Sequence, residues 1–471
     1  MYITDNSKKP KGDFSDCEGL LDRIANYSLE YLENEGVFVF PEHVKDSDDL
    51  SKEQVVIKRI GNDCVTSNVM GFLGFNGEKL TIKSRFSSEQ DSKDFFLQYL
   101  IQKVFDFPNF IDFSIQSNFK ENIFMYLVFL FPYYLKKAMR KGLFKTYVRN
   151  LYNDSNVKGS IDISRHIKLN TPFLGKIAYS KKEYSYDNYV TELIRHTVEY
   201  IHSKSYGKQI LCKVRDEVNK VVSVTEKYSF CDRQKILSKN VRNPVKHAYY
   251  KEYQDLQKLC LEILKDQNQQ ISVGCCSLYG ILFDGAWLWE EYVNTLIGDD
   301  FYHPRNKGNS DGSNSGAQWL FTYSEKDGFD GLIYPDFIGK NPNNRIIADA
   351  KYKPERNIKN KDYLQILAYM LRFDSKKAFY IYPFQNNTGS LQSPVKLLAL
   401  NKGLTYEKNV DKRDDIEVIK LGFDVPCVDC NSDYSTFCEL MKNAEDSFKK
   451  QLADLINLTH SSFFSRSDDL A

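Results

Sequence analysis

Leu332-Ile-Tyr-Pro-Asp-Phe-Ile-Gly-Lys-Asn-Pro-Asn-Asn-Arg-Ile-Ile-Ala-Asp-Ala-Lys-Tyr-Lys353 is the stretch on which the reading of this chain turns. An apolar run from Leu332 to Ile338 is interrupted by Pro335-Asp336. Asn341 to Asn344, with Pro342, reads as a turn. Ile346-Ile-Ala348 then leads into Asp349-Ala350-Lys351. This pattern predicts strands joined as a hairpin. Residues two apart on a strand share a face. Asp349 and Lys351 should therefore point to one side and Ala350 into the core, and the hairpin should carry Asp336 beside them.

Two carboxylates and an ammonium at one strand end suit phosphodiester hydrolysis. Mg²⁺ is typically held by one or two carboxylates together with waters and substrate phosphate. A cation so held activates water and neutralises the leaving oxygen. A nearby Lys stabilises developing charge. Ala350 offers its backbone carbonyl as one more ligand. Asp-x-Lys alone is common and means little; the ordered set with Pro-Asp, a short spacer, an apolar lead-in and a following helix is more specific.

Flanking segments add candidates. The upstream helix expected from Asp284 to Ile297 contains Leu288-Trp-Glu-Glu-Tyr-Val293, so Glu290 or Glu291 could reach a metal. The helix expected at about 361–373 places Gln365 and Tyr369 on one face, at i and i+4. Lys353, Arg356, Lys359 and Lys361 are candidate phosphate contacts, though a solvated surface accounts for them equally well.

Three regions are expected in all. Residues 1–115 read as β-rich after a helix at 17–35, with Asn76-Gly77 as a hairpin turn. Residues 116–268 read as mostly helical, including helices at 121–150, 187–206, 208–224 and 246–266. Residues 269–471 mix strands and helices, which implies a sheet with flanking helices. The class expected is therefore α+β multidomain.

Bulk properties narrow the partners. The net charge is +1, so any grip on DNA must come from local patches or from a partner. Ten scattered Cys fit a reduced, cytoplasmic setting. The longest apolar run, Ile123 to Leu135, has thirteen residues and contains Pro132, too short to span a bilayer. No Gly-x-x-x-x-Gly-Lys-Ser/Thr phosphate loop occurs, so no nucleotide-driven motor is expected in this chain.

Pro335-Asp336 with Asp349-Ala350-Lys351-Tyr352-Lys353 resembles the PD-(D/E)XK nuclease motif in its McrC form. Val157-Lys-Gly-Ser-Ile-Asp-Ile-Ser-Arg-His166, Glu183-Tyr-Ser-Tyr-Asp-Asn188 with Leu193-Ile-Arg-His196, Leu80-Thr-Ile-Lys-Ser-Arg-Phe86, and Asp94 to Leu100 are similar to further family segments. The resemblance implies a PD-(D/E)XK α/β core in residues 269–471. It implies a Mg²⁺- or Mn²⁺-dependent endodeoxyribonuclease of a modification-dependent restriction system. Asp336, Asp349, Ala350 and Glu290 would bind metal, Lys351 would be the catalytic Lys, and Gln365 would complete the site. Glu290 fits the family's Phe-Glu-x-Tyr-Val helix better than Glu291, with Trp289 in place of Phe. The partner implied is an McrB-like AAA+ GTPase ring that reads the modified double-stranded DNA. The first half of this chain would dock into that ring, and two nuclease subunits would pair to cut both strands. The competing reading is a non-cleaving adaptor that stimulates a ring NTPase. Neither the modified base nor the role of 400–471 can be read from the sequence.

Other features carry less. Cys427-Val-Asp-Cys430 is half of a zinc pattern with no second pair. Residues 131–150 interleave Lys136, Lys137, Arg140, Lys141, Lys145 and Arg149 with aromatics, as either a DNA or partner contact or a solvated face. His166 and His196 read as structural.

Overall fold

Tyr279–Asp284 decides how the chain is divided. This strand pairs antiparallel with Val69–Phe75 and parallel with Val37–Phe40. It thereby enters a five-stranded sheet in the order Tyr2–Thr4, Glu78–Lys83, Val69–Phe75, Tyr279–Asp284, Val37–Phe40. Residues 1–117 and 276–471 consequently form one compact unit, and 118–275 form a second. Where the sequence suggested three successive regions, the first and third share a sheet. The pairing joins strands about two hundred residues apart and leaves no local signal. The computed structural model describes residues 1–40, 54–87, 94–105, 119–204, 206–269, 278–304, 318–323, 328–385, 394–404, 410–428 and 433–457. The Gly/Asn/Ser-rich loop, apart from Pro304, together with Cys275-Cys276 and Cys430, lies outside the described residues.

The five-stranded sheet begins with a hairpin that the sequence announced. Asn76 and Gly77 adopt φ of 47° and 88°, the mirror-image turn that matches strand twist. Its core gathers Leu20, Leu21, Ile24, Leu29 and Leu32 against Leu73, Leu80 and Leu282. The helix expected at 17–35 is two helices, Glu18–Ile24 and Leu29–Glu35. Asn26 enters the left-handed region (φ 62°), and the Ser28 hydroxyl caps the second helix at Tyr31 N–H, 3.2 Å.

A six-stranded sheet carries the central motif. Its order is Phe301–Tyr302, Phe337–Gly339, Ile346–Ala350, Lys377–Phe384, Asp411–Asp424, Val395–Lys402. Ile346–Ala350 pairs antiparallel with Phe337–Gly339 and parallel with Lys377–Phe384. Both faces are covered, so the inner strands read as near-continuous apolar runs. Ile366, Tyr369 and Met370 of helix Asn360–Arg372 pack one face with Ile347, Ala378 and Tyr380. Trp289 and Tyr292 of helix Gly285–Ile297 serve the other, 5.9 and 5.7 Å from the Phe423 ring. Phe448 of helix Tyr434–Asn457 meets the same ring at 5.5 Å. The C-terminal segment, which carried no motif, thus supplies a strand and a helix of this layer.

Glu445 ties three helices together. It is buried, and its Oε1 accepts from Tyr99 Oη at 2.8 Å and Tyr292 Oη at 2.9 Å, while Oε2 meets Lys103 Nζ at 2.9 Å. Burial, then the Glu445 charge, pushes both phenols up.

The second unit is less helical than expected. The helix Phe119–Met139 ends before Gly142 (φ 88°), and Thr146–Asp154 is a strand. It pairs with Ile177–Ser185, which also pairs with Ser160–Ile161. The expected helix at 208–224 is two, Gly207–Cys212 and Arg215–Val224. No helix among the described residues is long and apolar enough to cross a membrane. His196 is buried against Tyr228, with ring centroids 4.7 Å apart. Its pKa is pushed down to about 4, first by burial and then by Arg233.

Two outcomes follow. Glu445→Ala should cost about 2–3 kcal/mol in urea unfolding, because it strands two phenols and a partly buried ammonium. His196 titrates near 6.5 when unfolded and near 4 when folded. Its contribution is therefore complete above about 6.5 and is lost as pH falls towards 4. Unfolding measured across that window should show the loss, and His196→Phe should flatten it.

Candidate active site

Strand Ile346–Ala350 ends at the site. Ile347 faces helix Asn360–Arg372, so Asp349 and Lys351 face it too, while Ala348 and Ala350 turn to the opposite layer. The hairpin register Phe337↔Ala348 sets Asp336 beside Asp349 and Ala350. Asp336 Oδ2 accepts from the Ala350 N–H at 2.8 Å. The structure brings Asp336, Asp349, Ala350 and Lys351 together at this strand end.

Asp349 is 1% exposed. Burial pushes its carboxyl up, and Lys351 opposes that shift. Asp349 Oδ1 accepts from Lys351 Nζ at 3.0 Å. Oδ2 lies 2.8 Å from the same ammonium yet receives no hydrogen bond among the described residues. The hydroxyl of Tyr380, cross-strand from Asp349, is likewise buried without a hydrogen bond there.

Gln365 arrives from helix Asn360–Arg372. Its Oε1 is 3.5 Å from Lys351 Nζ, and its Nε2 donates to Tyr369 Oη at 2.7 Å. Tyr369 Oη donates to the Tyr334 carbonyl at 3.0 Å. This chain holds Lys351 from the helix side and fixes the backbone just before Pro335-Asp336. Lys353, a candidate phosphate contact, is engaged by Asp362 at 2.7 and 2.8 Å. Burial pushes the Asp362 carboxyl up, but the Lys353 bond and the Lys359 N–H outweigh it, and the net shift is downward. Arg356, Lys359 and Lys361 are exposed.

Glu290 and Glu291 face His303. Their Oε1 atoms are 3.6 and 3.9 Å from His303 Nε2. His303 Nδ1 is 2.8 Å from the Asp336 carbonyl, and its ring stacks on Phe337. Among the described residues no three His, Cys, Asp or Glu side chains cluster closely enough to hold an ion together. Sequence reasoning missed His303; its only signal was a His directly after the short Phe301–Tyr302 strand.

Tyr352 was also unassigned. It is buried, its hydroxyl is 2.6 Å from Ser84 Oγ, and its ring meets Phe86 edge-on. Arg85 lies over the ring at 4.9 Å and is ion-paired with Asp5. A Cβ on Gly285 would come within 2.6 Å of the ring, so the start of that helix requires glycine.

The donor set fits a divalent cation. Two neighbouring carboxylates, one with a buried oxygen lacking a hydrogen bond, and a strand-end carbonyl match hard oxygen ligation completed by water. A mixed α/β unit with two acids and a lysine at a strand end defines the class. The chain belongs to the family described as McrBC 5-methylcytosine restriction system component, which matches residues 65–383. No curated protein matches it. A refined half-complex from a tetradecameric assembly of Thermococcus gammatolerans McrB AAA+ hexamers with bound McrC is similar at 14% identity and TM-score 0.49, over 97% of this chain and 99% of that one. The cryo-EM structure of the Thermococcus gammatolerans McrBC complex is similar at 14% identity and TM-score 0.30, over 63% and 87%.

Tyr352→Phe removes the two buried hydroxyl contacts, to Ser84 Oγ and Met70 Sδ, and leaves the ring. It should lower stability by about 1–2 kcal/mol in urea unfolding, with an unchanged denaturant slope.

Proposed function

We propose that this chain is the DNA-cutting subunit of an McrBC-type restriction system, a Mg²⁺- or Mn²⁺-dependent endodeoxyribonuclease with a PD-(D/E)XK core in its six-stranded sheet. The observation that carries the proposal is the strand end where Asp349 and Lys351 share a face and Asp336 bonds to the Ala350 N–H. Asp336, Asp349 and the Ala350 carbonyl would hold the ion. Once bound, it would supply an acidified water and neutralise the leaving oxygen.

The chain's own groups do the rest. Asp349 is kept out of water, which strengthens its attraction for a cation. Lys351, tethered by Asp349 and Gln365, presents an ammonium to the scissile phosphate and orients the attacking water. Gln365, fixed by Tyr369, limits the rotamers open to that ammonium.

The partner in this reading is an McrB-like AAA+ GTPase ring that reads modified duplex DNA, with two copies of this chain pairing to cut both strands. A near-neutral charge fits a division in which the partner grips DNA. The family-like segment from Val157 to His166 supports docking through the second unit. Asp162 caps the helix Ile163–Leu169 by accepting from Arg165 N–H. Ile163 is 69% exposed and Leu174, in the loop beyond, 84%, with Ile161, Ile167 and Phe173 also exposed. An apolar surface of this kind marks an interface.

Cleavage of modified DNA should be measured with the ring partner, GTP and Mg²⁺. Asp349→Ala should cut at least about a hundredfold more slowly, a loss of several kcal/mol of transition-state stabilisation, yet still stimulate GTP hydrolysis. Undiminished cutting by the variant would refute the site. A wild-type chain that stimulates NTP hydrolysis and never cuts would establish the adaptor reading instead.

A further inference from the structure

The two acids on helix Gly285–Ile297 face a histidine that contacts the site. A backbone carbonyl can only accept, so His303 Nδ1–H donates to the Asp336 oxygen at 2.8 Å. This fixes the ring with Nε2 turned towards Glu290 at 3.6 Å and Glu291 at 3.9 Å. Register explains the placement. Phe301↔Gly339 and Tyr302↔Ile338 put the next residue, His303, opposite Phe337. The two rings stack with centroids 4.9 Å apart, and only 6% of the His303 side chain is exposed. Asp336 is thereby held at two points: its carbonyl by His303 and its carboxylate by the Ala350 N–H.

We infer that His303 is a positioning residue for Asp336, holding its main chain so that its carboxylate stays at the Ala350 N–H. The inference rests on the proposed site and adds a residue to it. Outer partners that orient a ligand affect metal affinity by roughly 10–100-fold. Here the oriented group is the Asp336 main chain. Losing the bond frees rotation about the Asp336 backbone, and the carboxylate leaves the Ala350 N–H.

The test is Mn²⁺ binding to the intact chain without DNA, by calorimetric titration, with thermal unfolding run alongside. His303→Ala should weaken Mn²⁺ binding roughly tenfold. His303→Asn should restore most of it, because the amide N–H occupies nearly the position of Nδ1–H. Wild-type affinity in His303→Ala would overturn the inference, as would His303→Asn no better than His303→Ala at equal thermal stability. Asp349→Ala is the separating control. If it abolishes binding while His303→Ala has no effect, only this inference falls. If Asp349→Ala binds Mn²⁺ normally, the site itself is wrong and the inference goes with it.

Discussion

A carboxylate buried at the end of an apolar strand is the constraint around which the six-stranded sheet is arranged. Asp349 is 1% exposed, and Ile346, Ile347, Ala348 and Ala350 around it are apolar and buried. Isolated, such a charge would cost far more than the marginal stability of a domain, so it must neutralise or acquire a partner. The neighbours answer that demand in sequence. Lys351 supplies the cation from the same strand, Gln365 and Tyr369 hold it from the helix, and Tyr369 anchors to the Tyr334 carbonyl. Yet one ammonium does not satisfy both oxygens, since Asp349 Oδ2 still receives no hydrogen bond among the described residues. A fold selected only for stability would favour an apolar residue here. The retained electrostatic demand is what makes the strand end a candidate for cation chemistry.

The same strand is also anchored in the N-terminal sheet. Tyr352, next to Lys351, inserts among Ser84, Arg85 and Phe86 at the end of strand Glu78–Lys83. Arg85 is bonded to Asp5 and to Asn68, and Asn68 donates to Asp284, the cap of helix Gly285–Ile297. That helix bears the Glu290 and Glu291 side chains that face His303. Polar contacts thus run from the first strand of the chain to both flanks of the candidate site. Within this unit the N-terminal sheet is a structural part of the site's support. Displacing it would move the Lys351 backbone, because Tyr352 cannot leave its pocket without stranding a buried hydroxyl bond.

Legibility from the sequence followed the range of the interactions. The relation of Asp349, Lys351 and Asp336 was readable because strand alternation and a short hairpin are local rules. So was the Asn76-Gly77 turn. Strand Asp411–Asp424 was not seen, because Asp411-Lys-Arg-Asp-Asp415 gives it a charged front that hides the apolar run Ile416 to Phe423. Strand Thr146–Asp154 was absorbed into a helix because basic and aromatic residues continue in similar proportion past Gly142. The shared sheet was unreadable for a stronger reason. Tyr279–Asp284 looks like any buried strand, and nothing in its six residues specifies Val37–Phe40 or Val69–Phe75 as neighbours.

His303 shows the same limit within the site. A lone His beside a short strand is most often structural, and its identity as a contact of Asp336 depends on a two-residue register that no periodicity encodes. Glu290, read from its helix motif, faces His303 Nε2 at 3.6 Å, the other ring nitrogen bonds to a carbonyl, and that carbonyl belongs to the residue whose carboxylate bonds to the Ala350 N–H. A motif specifies which residue types recur together in a site. Whether one of them touches the ion or only steadies what does is decided by side chains whose sequence positions carry no pattern.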